Sequence, residues 1–262
     1  MKKLFQPHIP DNKTEVKRVW KDALIVFDAN TILNFYRYSD KSRSEFIALL
    51  KNLSQRIWIP EQVAHEYLGN RSSISGDQTK AYEAANKSIN DLRDALHKDR
   101  GHPFIDENTM DSLSTILAKV EGELDENNKK QISRIPSDDI MTEIVAIFDG
   151  RVGQKLTSGE LEAIFEEGTK RYEQKVPPGY KDTKKHGNPT TPSEKRAVFG
   201  DLIVWKQTIS RAKELSKPVI FVIDDAKDDW WLEVQGKTIG PRIELCDEFY
   251  QEVKQILGVG LA

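Results

Sequence analysis

Two uninterrupted apolar runs interrupt a chain whose other hydrophobic positions recur every third or fourth residue. The first is Leu24-Ile25-Val26-Phe27 and the second is Val219-Ile220-Phe221-Val222-Ile223. A strand apolar at every position is buried on both faces, as in a parallel sheet covered by helices. A shorter run, Arg56-Ile57-Trp58-Ile59, closes at Pro60 and predicts another strand. The intervening segments carry helical spacing. Asn30 and Thr31 offer an N-cap for a helix through Ile32, Leu33 and Phe35. Ser42 and Glu45 have capping-box spacing for a helix through Phe46, Ile47, Leu49 and Leu50. A helix from Glu61 places Val63, Ala64, Tyr67 and Leu68 on one face, with Glu66 at its edge. Gly200-Asp201 begins a helix with Leu202, Trp205, Ile209 and Ala212 in register. Residues 234–238 read as a small hairpin, and a final helix runs from Pro241 and Glu244 to about Leu257. The fold class is α/β.

The pattern divides the chain unevenly. Residues 1–22 read as an N-terminal extension, where Pro7, Pro10 and Asp11 argue against a regular element. Residues 23–262 read as one domain. Within it, residues 72–175 form a long helical insertion. Its first two helices, broken at Gly101-His102-Pro103, have one sparse greasy stripe each (Tyr82, Ile89, Leu92; then Leu113, Leu117, Val120), too little for a second core. Pro136-Ser137-Asp138-Asp139 restarts a helix through Phe148, and Ser158-Gly159-Glu160 opens another. Residues 176–198 form a Pro- and Gly-rich loop with a basic excess from Lys181, Lys184, Lys185, Lys195 and Arg196.

Composition narrows the function classes. The net charge of −3 gives no global attraction to nucleic acid or an anionic membrane, so such a partner needs a local patch. One cysteine, Cys246, excludes an intramolecular disulfide and fits a reducing compartment. No apolar stretch has signal-peptide or membrane-span character, so a cytoplasmic protein is expected.

The candidate chemistry is carboxylate chemistry. Both apolar strands end in acid, Asp28 after the first and Asp224-Asp225 after the second. In a parallel sheet both ends point to one rim, where open α/β sheets bind ligands. Asp201 sits in the first turn of its helix, and Glu66 is a fourth candidate. Carboxylates without a His or Cys cluster suit Mg²⁺ or Mn²⁺. Such a site can activate water and neutralise a phosphodiester transition state, with one ion or two about 4 Å apart. Each acid alone also has an ordinary role, as turn, cap or solvated helix residue. Asp228 and Asp229 read as exposed, and Trp230-Trp231 as packing at the core edge.

Taken together, Phe27-Asp28-Ala29-Asn30-Thr31-Ile32-Leu33, Ile59-Pro60-Glu61-Gln62-Val63-Ala64-His65-Glu66-Tyr67, Gly200-Asp201-Leu202-Ile203-Val204-Trp205 and Phe221-Val222-Ile223-Asp224-Asp225 resemble the four acidic motifs of the PIN-domain ribonucleases. Asp228-Asp229-Trp230-Trp231, Gly240-Pro241-Arg242 and the upstream Pro177-Pro178-Gly179-Tyr180-Lys181-Asp182 look like the larger bacterial PIN-like branch. The resemblance spans roughly residues 23–250. It implies a Rossmann-like three-layer α/β/α domain and a Mg²⁺- or Mn²⁺-dependent endoribonuclease. It also implies Asp28, Glu66, Asp201 and Asp225 as catalytic, metal-binding acids, with Asn30 as a polar neighbour. Asp224 stands beside the family position, so either member of the pair could be the ligand. The chain departs from compact relatives in its long insertion, which leaves the family's middle strand unlocated, and in Ile223, where a small hydroxyl residue is common.

Under this reading the partner is nucleic acid, RNA before DNA, held by charge through Lys184, Lys185, Lys195, Arg196 and Lys206. A toxin or phage-defence role, with a protein inhibitor or antitoxin as second partner, is compatible with it. Two rivals remain. A phosphatase of the haloacid dehalogenase type also places an Asp after its first strand, but it wants an acid two residues on, where this chain has Asn30. The other is a PIN-like fold retained only to bind nucleic acid or protein.

Overall fold

A computed structural model describes residues 13–96, 105–183, 189–224 and 227–261. Six strands occur among them: β1 (Leu24–Phe27), β2 (Ile57–Trp58), β3 (Val219–Ile223), β4 (Trp231–Val234), β5 (Lys237–Pro241) and β6 (Leu257–Leu261). The main sheet has the order β2-β1-β3-β6, and every pairing in it is parallel. β1 and β3 occupy its centre, which is why they are apolar at every position: both faces are covered, and only Val222 is half-buried. Their register sets Leu24 opposite Val219 and Phe27 opposite Val222, so both strands end at the same rim. β4 and β5 form the separate antiparallel hairpin expected at residues 234–238.

Parallel strands need crossover connections, which helices supply. They are α1 (Lys13–Asp22), α2 (Ala29–Leu33), α3 (Asp40–Asn52), α4 (Glu61–Leu96), α5 (Glu107–Arg134), α6 (Asp139–Phe148), α7 (Ser158–Glu173), α8 (Pro192–Val198), α9 (Gly200–Leu215) and α10 (Ile243–Val253). The architecture is α/β with a parallel sheet. Among the described residues no helix is long and apolar enough to cross a membrane.

Several elements differ from the sequence expectation. The segment read as irregular contains α1, which starts after the prolines and buries Val19. α2 is capped by Asp28 rather than by Asn30 or Thr31: the Asp28 carboxylate accepts from the Asn30 amide at 3.3 Å. α3 is capped by Ser39, not Ser42. The last helix stops at Val253, where Lys254 adopts φ +58°, and residues 257–261 form edge strand β6. The alternating glycines of Leu257-Gly258-Val259-Gly260-Leu261 hide that strand from a hydrophobic pattern. α8 forms inside the expected loop because Thr191 and Glu194 make a capping box ahead of Pro192. Among the described residues no regular middle strand lies between α4 and α9; the chain meets the sheet edge at one parallel bridge, Ile59 with Val152.

α4 and α5 lie side by side. Asn86 donates to Asp125 at 2.8 Å and Arg93 pairs with Glu121 at 2.7 Å. Gln131 is the buried residue of α5, and Leu92, Ile116 and Val120 stay exposed, so this pair adds little core. The core lies at the sheet instead. Trp230 stacks on Phe221 with ring centroids 5.0 Å apart and meets Trp205 edge-on. Both tryptophans are fully buried.

One polar knot ties three helices over this core. Glu248 on α10 accepts from Arg171 of α7 at 2.8 and 2.7 Å, from the Trp205 indole at 2.9 Å and from Lys206 at 3.2 Å. Glu248→Ala takes the carboxylate from the Trp205 N–H and leaves the Arg171 guanidinium with only Glu167 and the Pro177 carbonyl. It should cost about 2–4 kcal/mol, read as a lower urea midpoint at unchanged slope. A loss under about 0.5 kcal/mol would place the knot among surface pairs of no consequence.

Candidate active site

The end of β1 aims the chain at the rim. Asp28 follows Phe27, its amide donates to Val222 O at 2.9 Å, and Thr31 Oγ1 donates to the same carbonyl at 3.3 Å. These bonds stitch the start of α2 to β3 and fix Asp28, which is 7% exposed. Asp28 is therefore both a helix cap and a buried rim acid.

Glu66 comes from the second turn of α4. Gln62 Nε2, one turn earlier, donates to Glu66 Oε1 at 2.6 Å. The Gln62 amide donates to Gln207 Oε1 at 3.1 Å, and Arg196 donates to the Gln62 side chain and pairs with Glu61. The start of α4 is thus pinned from α8 and α9. Gly200 permits the approach: a Cβ there would stand 2.7 Å from Glu66 Oε1.

Asp201 lies one residue further along, in the first turn of α9. The Trp230 indole donates to its Oδ2 at 3.2 Å. Gly179 backs onto it at φ +89°, where a Cβ would meet Asp201 Cβ at 2.8 Å. Gly179 belongs to the turn at residues 177–182, which a buried acid clamps: the Gly179 and Lys181 amides donate to Asp229 Oδ2 at 3.1 and 3.3 Å. Asp229, expected at the surface, is fully buried. Burial raises its carboxyl, against the pull of the Lys181 amide and of Lys227. The clamped turn delivers Asp182 to the rim. Lys227 Nζ bonds Asp182 Oδ2 at 3.0 Å and lies 3.7 Å from Asp201 Oδ2.

Glu66, Asp182, Asp201, Asn30, Arg196 and Lys227 line one cavity of about 410 Å³. The acids feel one another. Burial pushes the Glu66 carboxyl up to about 7, with Asp28 and Asp182 adding to the rise and Gln62 and Arg196 opposing it. Burial also raises Asp201 well above the ordinary carboxylate range; Lys227 opposes that, while Asp28, Asp182 and Glu66 reinforce it. Such a set of oxygen donors, forced together and short of positive charge, fits a hard divalent cation. Among the described residues no three Asp, Glu, His or Cys side chains are drawn tightly enough to grip one ion. The acids share a field rather than a finished coordination shell, and the cation nearest two of them is Lys227.

The other expected residues separate. Asp224 is exposed and turns to Asn34, whose Nδ2 donates to its Oδ2 at 2.5 Å; it does not line the cavity. Asp225, Lys184 and Lys185 lie outside the described residues. Lys195 pairs with Glu162 at 3.2 Å, and Lys206 with Glu167 at 2.7 Å and Glu248, so acids of α7 and α10 already balance these two. Of the expected basic handle, Arg196 is the described member that faces the cavity. Sequence reasoning missed Asp182 and Lys227 as site residues. Asp182 ends a motif quoted for its resemblance and Lys227 falls between two others, but nothing in the local pattern shows that the two meet.

The family model of a PIN like domain matches residues 24–245, most of the chain and both sheet strands that end in acid. Comparison with the curated proteins gives no match, and neither does comparison with solved structures.

The raised Glu66 carboxyl has a consequence for stability. The folded protein binds its proton more tightly than the unfolded chain, so the stabilisation is complete below about pH 4.5 and lost as pH rises through about 7. Metal-free protein should therefore melt at a lower temperature at pH 8 than at pH 5.5. Glu66→Gln, which stays neutral, should flatten that slope. An unchanged slope in the variant would show that Glu66 is not strained by its neighbours.

Proposed function

The chain belongs to the PIN-like domain family, and from that premise we propose that it is a metal-dependent endonuclease with RNA as its first substrate. The observation that carries this reading is the placement of Glu66 and Asp201, from α4 and α9, on one cavity, with Asp28 at the end of β1 near enough to push both of their carboxyls up. Nothing in a structural role requires three separate elements to press acids together at the ligand-binding rim of a sheet, and the arrangement is costly without a cation.

Under this proposal Asp28, Glu66, Asp201 and Asp225 hold Mg²⁺ or Mn²⁺, with Asp224 as alternate to Asp225. A divalent cation bound there supplies Lewis-acid neutralisation of the phosphodiester and activation of water. The protein's part is positioning. Gln62 fixes Glu66, the Trp230 indole fixes Asp201, and the Asn30 amide fixes Asp28. Asn30 also lines the cavity, within the space a substrate phosphate would enter. Arg196, with Lys184 and Lys185 earlier in the same basic stretch of sequence, holds the nucleic-acid backbone by charge, which carries no base preference. A reducing, cytoplasmic setting fits the single Cys246.

The decisive experiment joins cleavage to melting. Purified protein should cut RNA with Mn²⁺ or Mg²⁺ and stop with EDTA; undiminished cleavage after exhaustive chelation refutes the metal mechanism. Asp28→Asn removes one repelling charge at nearly constant volume. It should abolish cleavage and leave the metal-free protein as stable as wild type or more so. Mn²⁺ at a hundredfold excess over its dissociation constant should stabilise wild type by about 2.7 kcal/mol, and the variant should lose most of that gain. Equal metal shifts in both proteins would remove Asp28 from the site.

A further inference from the structure

The cavity holds two side-chain cations that behave differently. Arg196 is engaged by Glu61 and Gln62, at the entrance to α4. Lys227 instead reaches into the acids, 3.0 Å from Asp182 Oδ2 and 3.7 Å from Asp201 Oδ2, with its side chain 23% exposed. Its partner Asp182 is 13% exposed and is brought there by a turn that the buried Asp229 clamps. The placement is built: Gly179 is required where the turn meets Asp201, and Trp230, the residue just before β4, anchors the segment by its indole on the same Asp201.

We propose that Lys227 is a built-in counter-ion of the acidic rim, that Asp182 is a further acid of that rim, and that a divalent cation enters by displacing the Lys227 ammonium from Asp182 and Asp201. The proposal rests on the metal-dependent reading above. The ammonium carries one charge and the two carboxylates it reaches, Asp182 and Asp201, carry two when ionised, so a doubly charged ion matches that pair better. A lysine suits an exchangeable cation. Its ammonium is a point charge on a flexible four-carbon stem, whereas a guanidinium binds carboxylates through a rigid two-pronged fork. Once displaced, the ammonium remains at the cavity wall, one swing of its stem from the acids. There it meets a substrate phosphate at the moment the metal is in place.

The test uses the full-length protein without nucleic acid. Mn²⁺ binding is followed by titration calorimetry, and melting is measured in EDTA. Lys227→Met keeps the stem and removes the charge. It should bind Mn²⁺ at least about fivefold more tightly than wild type, because a competing unit charge near 4 Å is gone, and it should melt lower in EDTA. Asp182→Asn should bind Mn²⁺ more weakly than wild type. Equal or weaker binding by Lys227→Met overturns the displacement while leaving the metal-dependent reading intact, since wild type still binds. No Mn²⁺ binding by wild type or variant overturns that reading and the proposal with it. If Lys227→Met does not fold in EDTA, Lys227→Arg serves. It keeps the charge, grips the carboxylates with a fork, and should bind Mn²⁺ more weakly than wild type; unchanged affinity overturns the proposal.

Discussion

Like charges crowded at one end of a parallel sheet are the constraint from which much of the remaining architecture follows. Asp28, Glu66, Asp182 and Asp201 come from four separate segments, and burial together with the nearby charges of Asp28 and Asp182 makes the charged forms of Glu66 and Asp201 costly. Each is held in place by something that the core supplies. Val222 O anchors the Asp28 turn, Gln62 restrains Glu66, and the Trp230 indole restrains Asp201. Asp229 is spent entirely on the turn that carries Asp182. These restraints reach into the packing. Trp230 can donate to Asp201 because its ring is locked between Phe221 of β3 and Trp205 of α9. The same aromatic contact therefore fills the core and aims a hydrogen bond at the rim.

The two glycines show how little room the arrangement leaves. At Gly200 a single methyl would collide with Glu66 Oε1, and at Gly179 it would collide with Tyr172 and Asp201. Gly200 is helical, so its absence of a side chain serves close approach. At Gly179 close approach and a positive φ are both required. The Tyr172 hydroxyl is buried behind Gly179 and has no hydrogen-bond partner among the described residues. Burial first, then the charges of Asp201, Asp182 and Asp229, hold its phenol neutral.

What was legible in the sequence follows from what each signal measures. The strands β1 and β3 were legible because burial on both faces leaves an unbroken apolar run. The acids Asp28, Glu66 and Asp201 were legible because each lies at a predictable end of a strand or start of a helix. β6 was not, because alternating glycines carry no hydrophobic period. The burial of Asp229 was not, because its partners are backbone amides of a turn some fifty residues earlier, and such pairings leave no local trace. For the same reason the basic excess at Lys195 and Lys206 read as a surface for phosphates. Glu162, Glu167 and Glu248 come from elsewhere in the chain and meet those lysines only once the helices pack.

The electrostatics also order events at the site under the proposed function. A rim with more carboxylates than cations repels a polyanion, and the protein as a whole is slightly acidic. Basic residues beside the cavity offset this locally, yet every ionised carboxylate of the rim opposes the approach of a phosphodiester. A divalent cation changes the sign of that interaction, so metal and nucleic acid should favour each other's binding, and by linkage the favour is reciprocal. The close-fitting rim and its buried restraints then have one purpose. They keep Glu66 and Asp201 close to Asp28 and Asp182, an arrangement of oxygen donors that the proposed divalent ion would relieve.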